Sequence, residues 1–270
     1  MKLPNSVPMV ITKKTLSKKK KEELELHDSV IADKIEQIRF QNKFSRYYHD
    51  DWIKTMLDMI RITPKKILDY GCGNCLLYPH IKKRYPNAEY DGIDLSERML
   101  EAGKQRFGSD KNFNVSQQDG EQLDFKDGLF DLIICRGSLH HLPDPSKGLQ
   151  EMHRILAKGG ELIITEPVSN IVVKSMRKLL YKKMDHFSGT HRSFTHKEFM
   201  ELLKKEKFSV EKTKYYGLTA FPFAYPDIIP SFNHIPYAFP RTLAAIDAPL
   251  MKIPVIRSFS FVYFVLGRKQ

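Results

Sequence analysis

The chain has 270 residues, of which 41% are hydrophobic and 28% are charged. This composition is that of a globular protein and excludes a wholly disordered chain. The longest uninterrupted apolar run, at 261–266, is far shorter than the roughly 18 to 20 residues that cross a bilayer, so we expect no transmembrane helix. The N-terminus lacks the features of a secretory signal, and three cysteines predict no disulfide framework. We therefore expect a cytoplasmic location.

Charge is distributed unevenly around a formal net charge of +12. The net charge is +6 over residues 1–66, −4 over 67–168 and +10 over 169–270. An acidic middle between basic flanks suggests a catalytic or cofactor-binding domain whose flanks face something anionic, such as a membrane surface, a phosphorylated substrate or RNA. A lysine-rich solvated surface is an equally good explanation.

The N-terminal third of the chain precedes the first strand. Residues 1–25 are rich in lysine and poor in apolar residues, which predicts a flexible arm that runs into a helix. Apolar residues then recur at three- and four-residue steps over 24–59, as two amphipathic helices require. The aromatic stretch at 44–49 is expected to interrupt them.

After Pro64, short apolar runs alternate with helical stretches. Strands are predicted at 67–70, 88–93, 112–117, 130–135 and 161–166. Helices are predicted at 76–84, 96–107 and 147–156. Such alternation favours an α/β fold, with a parallel sheet covered by helices on both faces.

The last hundred residues contain a basic helix, an insertion and two strands. A basic helix is expected at 172–184, and a second helix at 196–206 begins after Thr195, with Glu198 at the capping-box spacing. Strands at 208–218 and 258–268 flank a segment rich in proline and aromatic residues. The predicted units are a basic arm with capping helices (1–63), a cofactor-binding core (64–168), a basic cap segment and helix (169–207), and a terminal hairpin (208–270) with an insertion at 219–257.

A glycine-rich turn follows the first predicted strand. The strand passes through Asp69 into Gly71 and Gly73, and a helix follows. Glycines let the backbone approach a ligand closely, and a helix N-terminus offers free amides. Asp94 ends the next strand 21 residues after Gly73, where a carboxylate can accept both hydroxyls of a ribose. Turn and acid together indicate a nucleoside-containing cofactor.

A dinucleotide fits this turn poorly, because the third small residue of its fingerprint would fall at Leu76. The motifs instead resemble the class I S-adenosylmethionine-dependent methyltransferases, and most of all the small-molecule branch that includes quinone-biosynthesis C-methyltransferases. Besides the turn, the resemblance rests on the stretches 92–96, 119–121, 130–133, 139–142 and 155–160. It covers 64–168 well and 186–216 more loosely, and it implies a Rossmann-like seven-stranded fold with helical caps.

The resemblance implies a role for each residue of the methionine side of the site. Gly71 and Gly73 would line the methionine part of the cofactor, Asp69 would order that loop, and the backbone at Arg136 would face the cofactor amine. Cys72 would be a small residue of the same loop. The family often has a third glycine where this chain has Cys75, so the loop is expected to sit slightly differently.

The ribose and adenine side is assigned in the same way. Asp94 would hold the ribose diol, Leu95 and Met99 would flank the adenine, and Asp119 would accept its amino group, beside Gly120. Tyr47 lies where small-molecule relatives fold a helix over the cofactor, and its hydroxyl could reach the cofactor carboxylate. Plain helix packing is the alternative role for Tyr47.

His140 and His141 follow the fourth strand, where the cofactor and acceptor pockets of the family meet. A neutral imidazole there could deprotonate the acceptor, since its pKa is near working pH. A packing role beside the cofactor is the alternative, because methyl transfer needs mainly alignment. Cys72 and Cys75 lack a second cysteine pair, so neither a zinc site nor any other metal is expected.

The acceptor is the least determined part of the function. A sequence HHLP replaces the motif of base-amine methyltransferases, so nucleic acid is an unlikely substrate. The aromatic insertion favours a small lipophilic acceptor, and the basic helix at 172–184 would dock the enzyme on anionic lipid. A satellite core over the terminal hairpin is the other interpretation of the insertion. A polar metabolite, RNA, or a non-catalytic cofactor-binding module remain alternatives, and the oligomeric state is not predicted.

Overall fold

The computed structural model describes residues 16–28, 38–39, 41–168 and 194–269. The predicted basic helix at 172–184 lies outside these ranges, as does the part of the predicted arm at 1–15.

A seven-stranded sheet forms the centre of the described chain. Its strands are β1 (Lys66–Tyr70), β2 (Glu89–Asp94), β3 (Phe113–Gln117), β4 (Phe130–Arg136), β5 (Leu156–Pro167), β6 (Phe208–Tyr216) and β7 (Val262–Lys269). The order across the sheet is β3-β2-β1-β4-β5-β7-β6. Strands β1 to β5 are parallel, and β7 is antiparallel to both of its neighbours. The predicted Rossmann-like seven-stranded fold is confirmed.

Eight α-helices surround the sheet in the residues that the structure describes. They are α1 (Lys18–His27), α2 (Lys43–Leu57), α3 (Tyr78–Arg84), α4 (Glu97–Phe107), α5 (Pro145–Ile155), α6 (His196–Lys205), α7 (Ala238–Leu250) and α8 (Pro254–Arg257). Helix α6 begins with the predicted capping box, in which Glu198 N–H donates to Thr195 Oγ1 and Thr195 N–H donates to the Glu198 carboxylate. Among the described helices, none is long and apolar enough to span a bilayer.

The N-terminal region differs from prediction in two ways. The flexible arm was expected to reach residue 25, but α1 begins at Lys18, and Leu16 and Leu24 are buried. The aromatic stretch at 44–49 does not interrupt a helix and lies inside α2. The Asn42 side chain accepts a hydrogen bond from Ser45 N–H at 2.9 Å, so α2 starts before the aromatic residues.

Three strand boundaries also shift. Strand β5 starts at Leu156 rather than at residue 161, because Leu156 pairs with Phe130 across a register shift in β4. Strand β7 starts at Val262 rather than at 258, because the short helix α8 and a turn occupy the residues before it. Strand β6 ends at Tyr216, two residues early.

Alternation along the strands divides the core into two faces. Ile67, Leu132 and Ile163 pack on one face with α2. Their neighbours in sequence pack on the opposite face with α5. Because side chains of a strand alternate between faces, Asp69 and Arg136 follow Ile67 and Ile134 onto the face that α2 covers. The carboxyl ends of β1 and β4 therefore present a carboxylate and a guanidinium beneath α2.

The insertion at 219–257 lies between β6 and β7, above the carboxyl edge of the parallel strands. It contains two short 3-10 helices (Phe221–Ala224 and Pro230–His234), α7 and α8. Ala220 and Ala224 pack with Phe44 and Tyr48 of α2, and further aromatic residues surround them. Much of the insertion thus forms a satellite core, packed mainly on α2.

A buried carboxylate fixes α7 to the end of β6. Asp247, which is 5% exposed, accepts hydrogen bonds from the backbone N–H groups of Leu218, Thr219 and Ala220 at 3.0 to 3.1 Å. The Thr219 hydroxyl donates to the same carboxylate at 2.6 Å. Four donors satisfy the buried charge, so α7 has a defined orientation on the cap.

Candidate functional site

The glycine-rich turn follows β1 and is hydrogen-bonded to the end of β2. Gly71 and Gly73 have φ of +70° and +53°, a region that glycine enters without penalty. Gly73 N–H donates to Asp94 Oδ2 at 2.8 Å, and Ser96 N–H donates to Asp94 Oδ1 at 2.9 Å. Asp94 is half-buried at the end of β2, so its carboxylate both clamps the turn and remains accessible to a ligand.

Asp69 is held by β2 rather than by the glycine turn. It is buried and accepts a hydrogen bond from the Tyr90 hydroxyl at 2.7 Å. Burial raises the pKa of Asp69 to about 6, against the lowering effects of Tyr90 and of the Arg136 charge. Asp69 therefore supports the turn by joining β1 to β2, and its direct role toward the cofactor stays a prediction.

Cys75 adopts the left-handed conformation, with φ of +62°. This is the position where the family often has glycine, and it explains that preference. The Sγ atoms of Cys72 and Cys75 are 3.8 Å apart and both thiols are free. The hydrogen bond with Cys75, with burial, raises the pKa of Cys72 well above its usual value. No cluster of three or more metal-ligating side chains occurs within the described ranges.

Tight packing explains two glycines near the site. A Cβ on Gly120 would overlap the Tyr70 hydroxyl, so Tyr70 occupies the space that a side chain at 120 would need. A Cβ on Gly92 would lie 2.8 Å from Cys72 Sγ. These contacts give Gly120 and Cys72 packing roles, and their predicted contacts with the cofactor stay predictions.

Helix α1 contacts the acidic residues of the predicted adenine side. Lys20 Nζ donates to Asp119 Oδ1 and Oδ2 at 2.8 and 2.5 Å, and to Glu121 Oε2 at 2.6 Å. Glu121 N–H also donates to Asp119 Oδ1. The sequence pointed to Asp119 but not to Lys20, which lies 99 residues earlier. Leu95 and Met99 are half-buried.

Arg136 lies between the cofactor edge of the sheet and the cap. Burial lowers the pKa of Arg136, and the charges of Asp69 and of Tyr225 oppose this effect. Tyr225 packs edge-on against His49 of α2, and Arg39 lies over the Tyr225 ring at 4.7 Å while pairing with Asp227. The aromatic cap therefore reaches the carboxyl end of β4 through Tyr225.

Tyr47 belongs to the aromatic cluster of the cap. Its ring packs with Phe44 and edge-on with Tyr237, and the Arg241 guanidinium lies 4.6 Å from its centroid. These contacts match the packing alternative, and a hydrogen bond to the cofactor stays a prediction.

His140 is paired with a buried carboxylate that the sequence did not indicate. Glu166, at the end of β5, is 1% exposed. It lies 2.7 Å from His140 Nδ1 through Oε2, and its Oε1 accepts Leu139 N–H at 2.9 Å. The His140 and His141 rings lie 4.0 Å apart. Burial raises the pKa of Glu166 to about 8. The one hint of Glu166 in the sequence is its position at the end of the apolar run that predicts β5.

The raised pKa of Glu166 predicts a pH-dependent stability. The folded protein keeps a proton that the unfolded chain loses near pH 4.5, so this contribution is full below that pH and is lost as the pH rises to about 8. We expect the free energy of unfolding of wild type to fall relative to Glu166→Gln between about pH 5 and pH 8, as measured by urea unfolding. Asp69, present in both proteins, cancels in the difference. Parallel curves would contradict the buried, proton-holding Glu166.

The comparisons with known proteins agree on the core of this fold. Residues 68–164 match the family model described as a methyltransferase domain. A demethylmenaquinone methyltransferase of Staphylococcus aureus (strain JH9) is 34% identical over 148 residues, which are 53% of this chain and 61% of that protein. The chain thus spans about 61% of the length of the curated relatives it matches.

Solved structures share the fold at low sequence identity. A possible histamine N-methyltransferase of Thermotoga maritima has a TM-score of 0.61 at 18% identity and covers 92% of this chain and 99% of its own. A putative methyltransferase of Bacillus halodurans has 0.56 at 18%, covering 80% and 98%. The 4+2 cyclase SpnF has 0.59 at 17%, covering 82% and 80%. One neighbour is thus a cyclase, so the fold alone does not decide the reaction.

The fold and the glycine turn define a Rossmann-like α/β domain. Residues 68–164 match, more specifically, a methyltransferase domain, in agreement with the predicted resemblance. The residues of this chain suit S-adenosylmethionine, because a partly accessible carboxylate at Asp94 stands beside the Gly73 amide. A Cβ on Gly73 would meet only Met99, at 3.8 Å, so the turn leaves space on the cofactor side.

Proposed function

We propose that the protein transfers a methyl group from S-adenosylmethionine to a small lipophilic acceptor and releases S-adenosylhomocysteine. The cofactor supplies the electrophilic methyl group, which an acceptor atom attacks in line with the departing sulfur. The residues of this chain bind and orient the two partners. Asp94 and the glycine turn would hold the cofactor, and the cap over the carboxyl edge would hold the acceptor and exclude water.

The main observation in support of a lipophilic acceptor is the cavity between the insertion and the start of α2. It has a volume of about 330 Å³. Apolar and aromatic side chains, among them Phe44, Phe223, Phe232, Ile235 and Tyr237, share its lining with the polar residues Gln41, Asn42, Lys43 and Asn233. Such a lining suits an apolar molecule that also carries polar groups. The curated relative named above acts on demethylmenaquinone, a quinone, which supports the same class of acceptor.

The acceptor class is tested by methyl transfer from radiolabelled S-adenosylmethionine. We expect a reduced naphthoquinol with an isoprenoid tail to be methylated at least tenfold faster, by kcat/KM, than the tail-less naphthoquinol. Phe223→Ala with Phe232→Ala should reduce that ratio, because the tail would lose its aromatic walls, while an unchanged rate on the tail-less naphthoquinol would show that the cap is still folded. Methylation of hydrophilic metabolites with no reaction on either quinol would overturn the lipophilic acceptor and retain the methyltransferase.

For the base we propose His140, positioned by Glu166. When the pair loses its shared proton, Glu166 accepts a hydrogen bond from Nδ1–H and leaves Nε2 as the basic nitrogen. A positioned base contributes roughly 10² to 10⁴ in rate. Of the two predicted histidines, His140 is favoured because it is the one whose Nδ1 lies at Glu166.

The pH profile of kcat tests the pair. Wild-type activity should rise toward about pH 8, the pKa of Glu166, as the carboxylate forms. Glu166→Gln should lose this rise, and His140→Gln should lower kcat about 10²-fold with unchanged affinity for S-adenosylhomocysteine. His141→Gln, measured in parallel, decides between the two rings. A larger loss in His141→Gln than in His140→Gln would reassign the base.

A further inference from the structure

The outer face of α7 is unusually poor in charge. Eight residues of this helix are exposed, and Arg241 is the one charged residue among them; the others are Ala238, Phe239, Thr242, Ala245, Ile246, Ala248 and Pro249. Phe239 and Ile246 are 53% and 47% exposed. A helix that packs one face on its domain normally presents charged residues on the other. Helix α7 presents apolar side chains on both its packed face and its exposed face.

Exposed apolar residues follow in the sequence after α7, in the residues around α8. Ile253, Val255 and Phe259 are exposed, Val255 at 72%. Five of the six large hydrophobic side chains exposed in the described part of the chain therefore lie within 239–259. We call these five residues, Phe239, Ile246, Ile253, Val255 and Phe259, the apolar face. A concentration of this kind marks an interaction site rather than scattered surface residues.

The exposed charges within residues 228–260 have one sign. Arg241 and Lys252 are exposed and Arg257 is half-buried. The single acidic residue between 228 and 260 is Asp247, which is buried and satisfied by four donors. The Arg241 and Arg257 guanidinium groups lie over the rings of Tyr47 and Tyr215 at 4.6 and 5.1 Å, which fixes them near the rim. The complementary partner is therefore apolar and anionic.

We propose that the apolar face docks on an anionic lipid surface. The side chains of Ile246 and Val255 would enter the boundary between headgroups and acyl chains, and Arg241, Lys252 and Arg257 would contact the headgroups. Asp247 anchors α7, so the face is presented as a fixed surface and little ordering is needed on docking. This docking concerns the outside of the cap and does not depend on which acceptor the enzyme methylates.

The docking residues differ from those that the sequence suggested. Phe221 stacks on Phe261 at 4.5 Å, and Phe223 stacks on Phe232 at 4.5 Å. Both are held in the cap, so serine substitutions there would disturb packing rather than isolate docking. Phe239, by contrast, is exposed.

Vesicle co-sedimentation of the full chain tests the proposal. Vesicles of phosphatidylcholine with phosphatidylglycerol should bind wild type, and pure phosphatidylcholine should bind it at least tenfold more weakly at low salt. Ile246→Ser with Val255→Ser should weaken binding to the anionic vesicles at least tenfold. Lys252→Glu should weaken it at low salt and much less at high salt, where charges are screened. Lys158→Glu, an exposed site at the opposite edge of the sheet, should bind as wild type.

The outcomes separate docking from other uses of the surface. Unchanged thermal melting and S-adenosylhomocysteine affinity would show that the double serine variant is folded. Failure of wild type to bind anionic vesicles, or equal binding by the double variant, would overturn the proposal. Sedimentation velocity without lipid tests whether a second copy of the chain occupies the face instead. A dimer of wild type that the double variant does not form would assign the face to self-association and overturn the proposal.

Discussion

Asp94→Ala is expected to weaken S-adenosylhomocysteine binding at least tenfold in calorimetry. The substitution removes the proposed acceptor for the ribose hydroxyls, which costs roughly 1.5 to 3 kcal/mol in a partly buried site. It also removes the partner of Gly73 N–H and Ser96 N–H, so the glycine turn loses its link to β2. The substitution should therefore both weaken cofactor binding and release the glycine turn from β2.

Asp94→Asn is the matched control. Its amide oxygen can still accept one backbone N–H, so the turn should stay in place, while the charge that strengthens the ribose contact is gone. We expect an affinity between those of wild type and Asp94→Ala. If Asp94→Ala binds the cofactor product as wild type does, or if wild type prefers NAD, the assignment of this site is wrong.

Gly71→Ala should lose cofactor binding and a large part of the stability. Alanine at φ of +70° costs roughly 1 to 2 kcal/mol. Its Cβ would in addition overlap Oγ and Cβ of Ser138, so β1 and the segment after β4 must separate. We expect a total loss of at least about 3 kcal/mol in urea unfolding.

Two further variants separate strain from overlap. Gly159 has a similar φ of +79°, but a Cβ there would meet nothing within 4 Å, so Gly159→Ala should cost only the conformational part. Gly71→Ala with Ser138→Gly removes the overlapping atoms and should recover part of the lost stability. Equal losses for Gly71→Ala and Gly159→Ala would show that close approach to Ser138 is unimportant.

The aromatic stretch at 44–49 shows where sequence reasoning on the fold failed. The aromatic residues of this stretch predict a break between two helices, whereas Asn42 caps the start of α2 just before them. The pattern was visible, since Phe44 and Tyr48 are four residues apart and both are buried on one face. Local capping decided the boundary, and the insertion supplied the partner that aromatic residues of α2 needed.

Contacts between distant parts of the chain could not be predicted from spacing. Lys20 meets Asp119 across 99 residues, Arg39 meets Asp227 across 188, and His140 meets Glu166 across 26. Each pair consists of ordinary surface residue types, and no local periodicity singles them out. These partners meet because the fold places the strand ends, helix α1 and the insertion next to one another.

The sequence by itself determined the sheet and the cofactor turn, because both depend on local properties. Buried strands show as short apolar runs, and Gly71 and Gly73 mark backbone conformations that other residues avoid. The tertiary structure alone decided which side chains of the insertion are enclosed and which are exposed. Phe221 and Phe223 are as apolar as Ile246 and Val255, so composition could not separate them. Packing against α2 encloses the first pair, and the Asp247 anchor fixes the orientation of α7, in which Ile246 is exposed. Burial depends on neighbours that the sequence does not name.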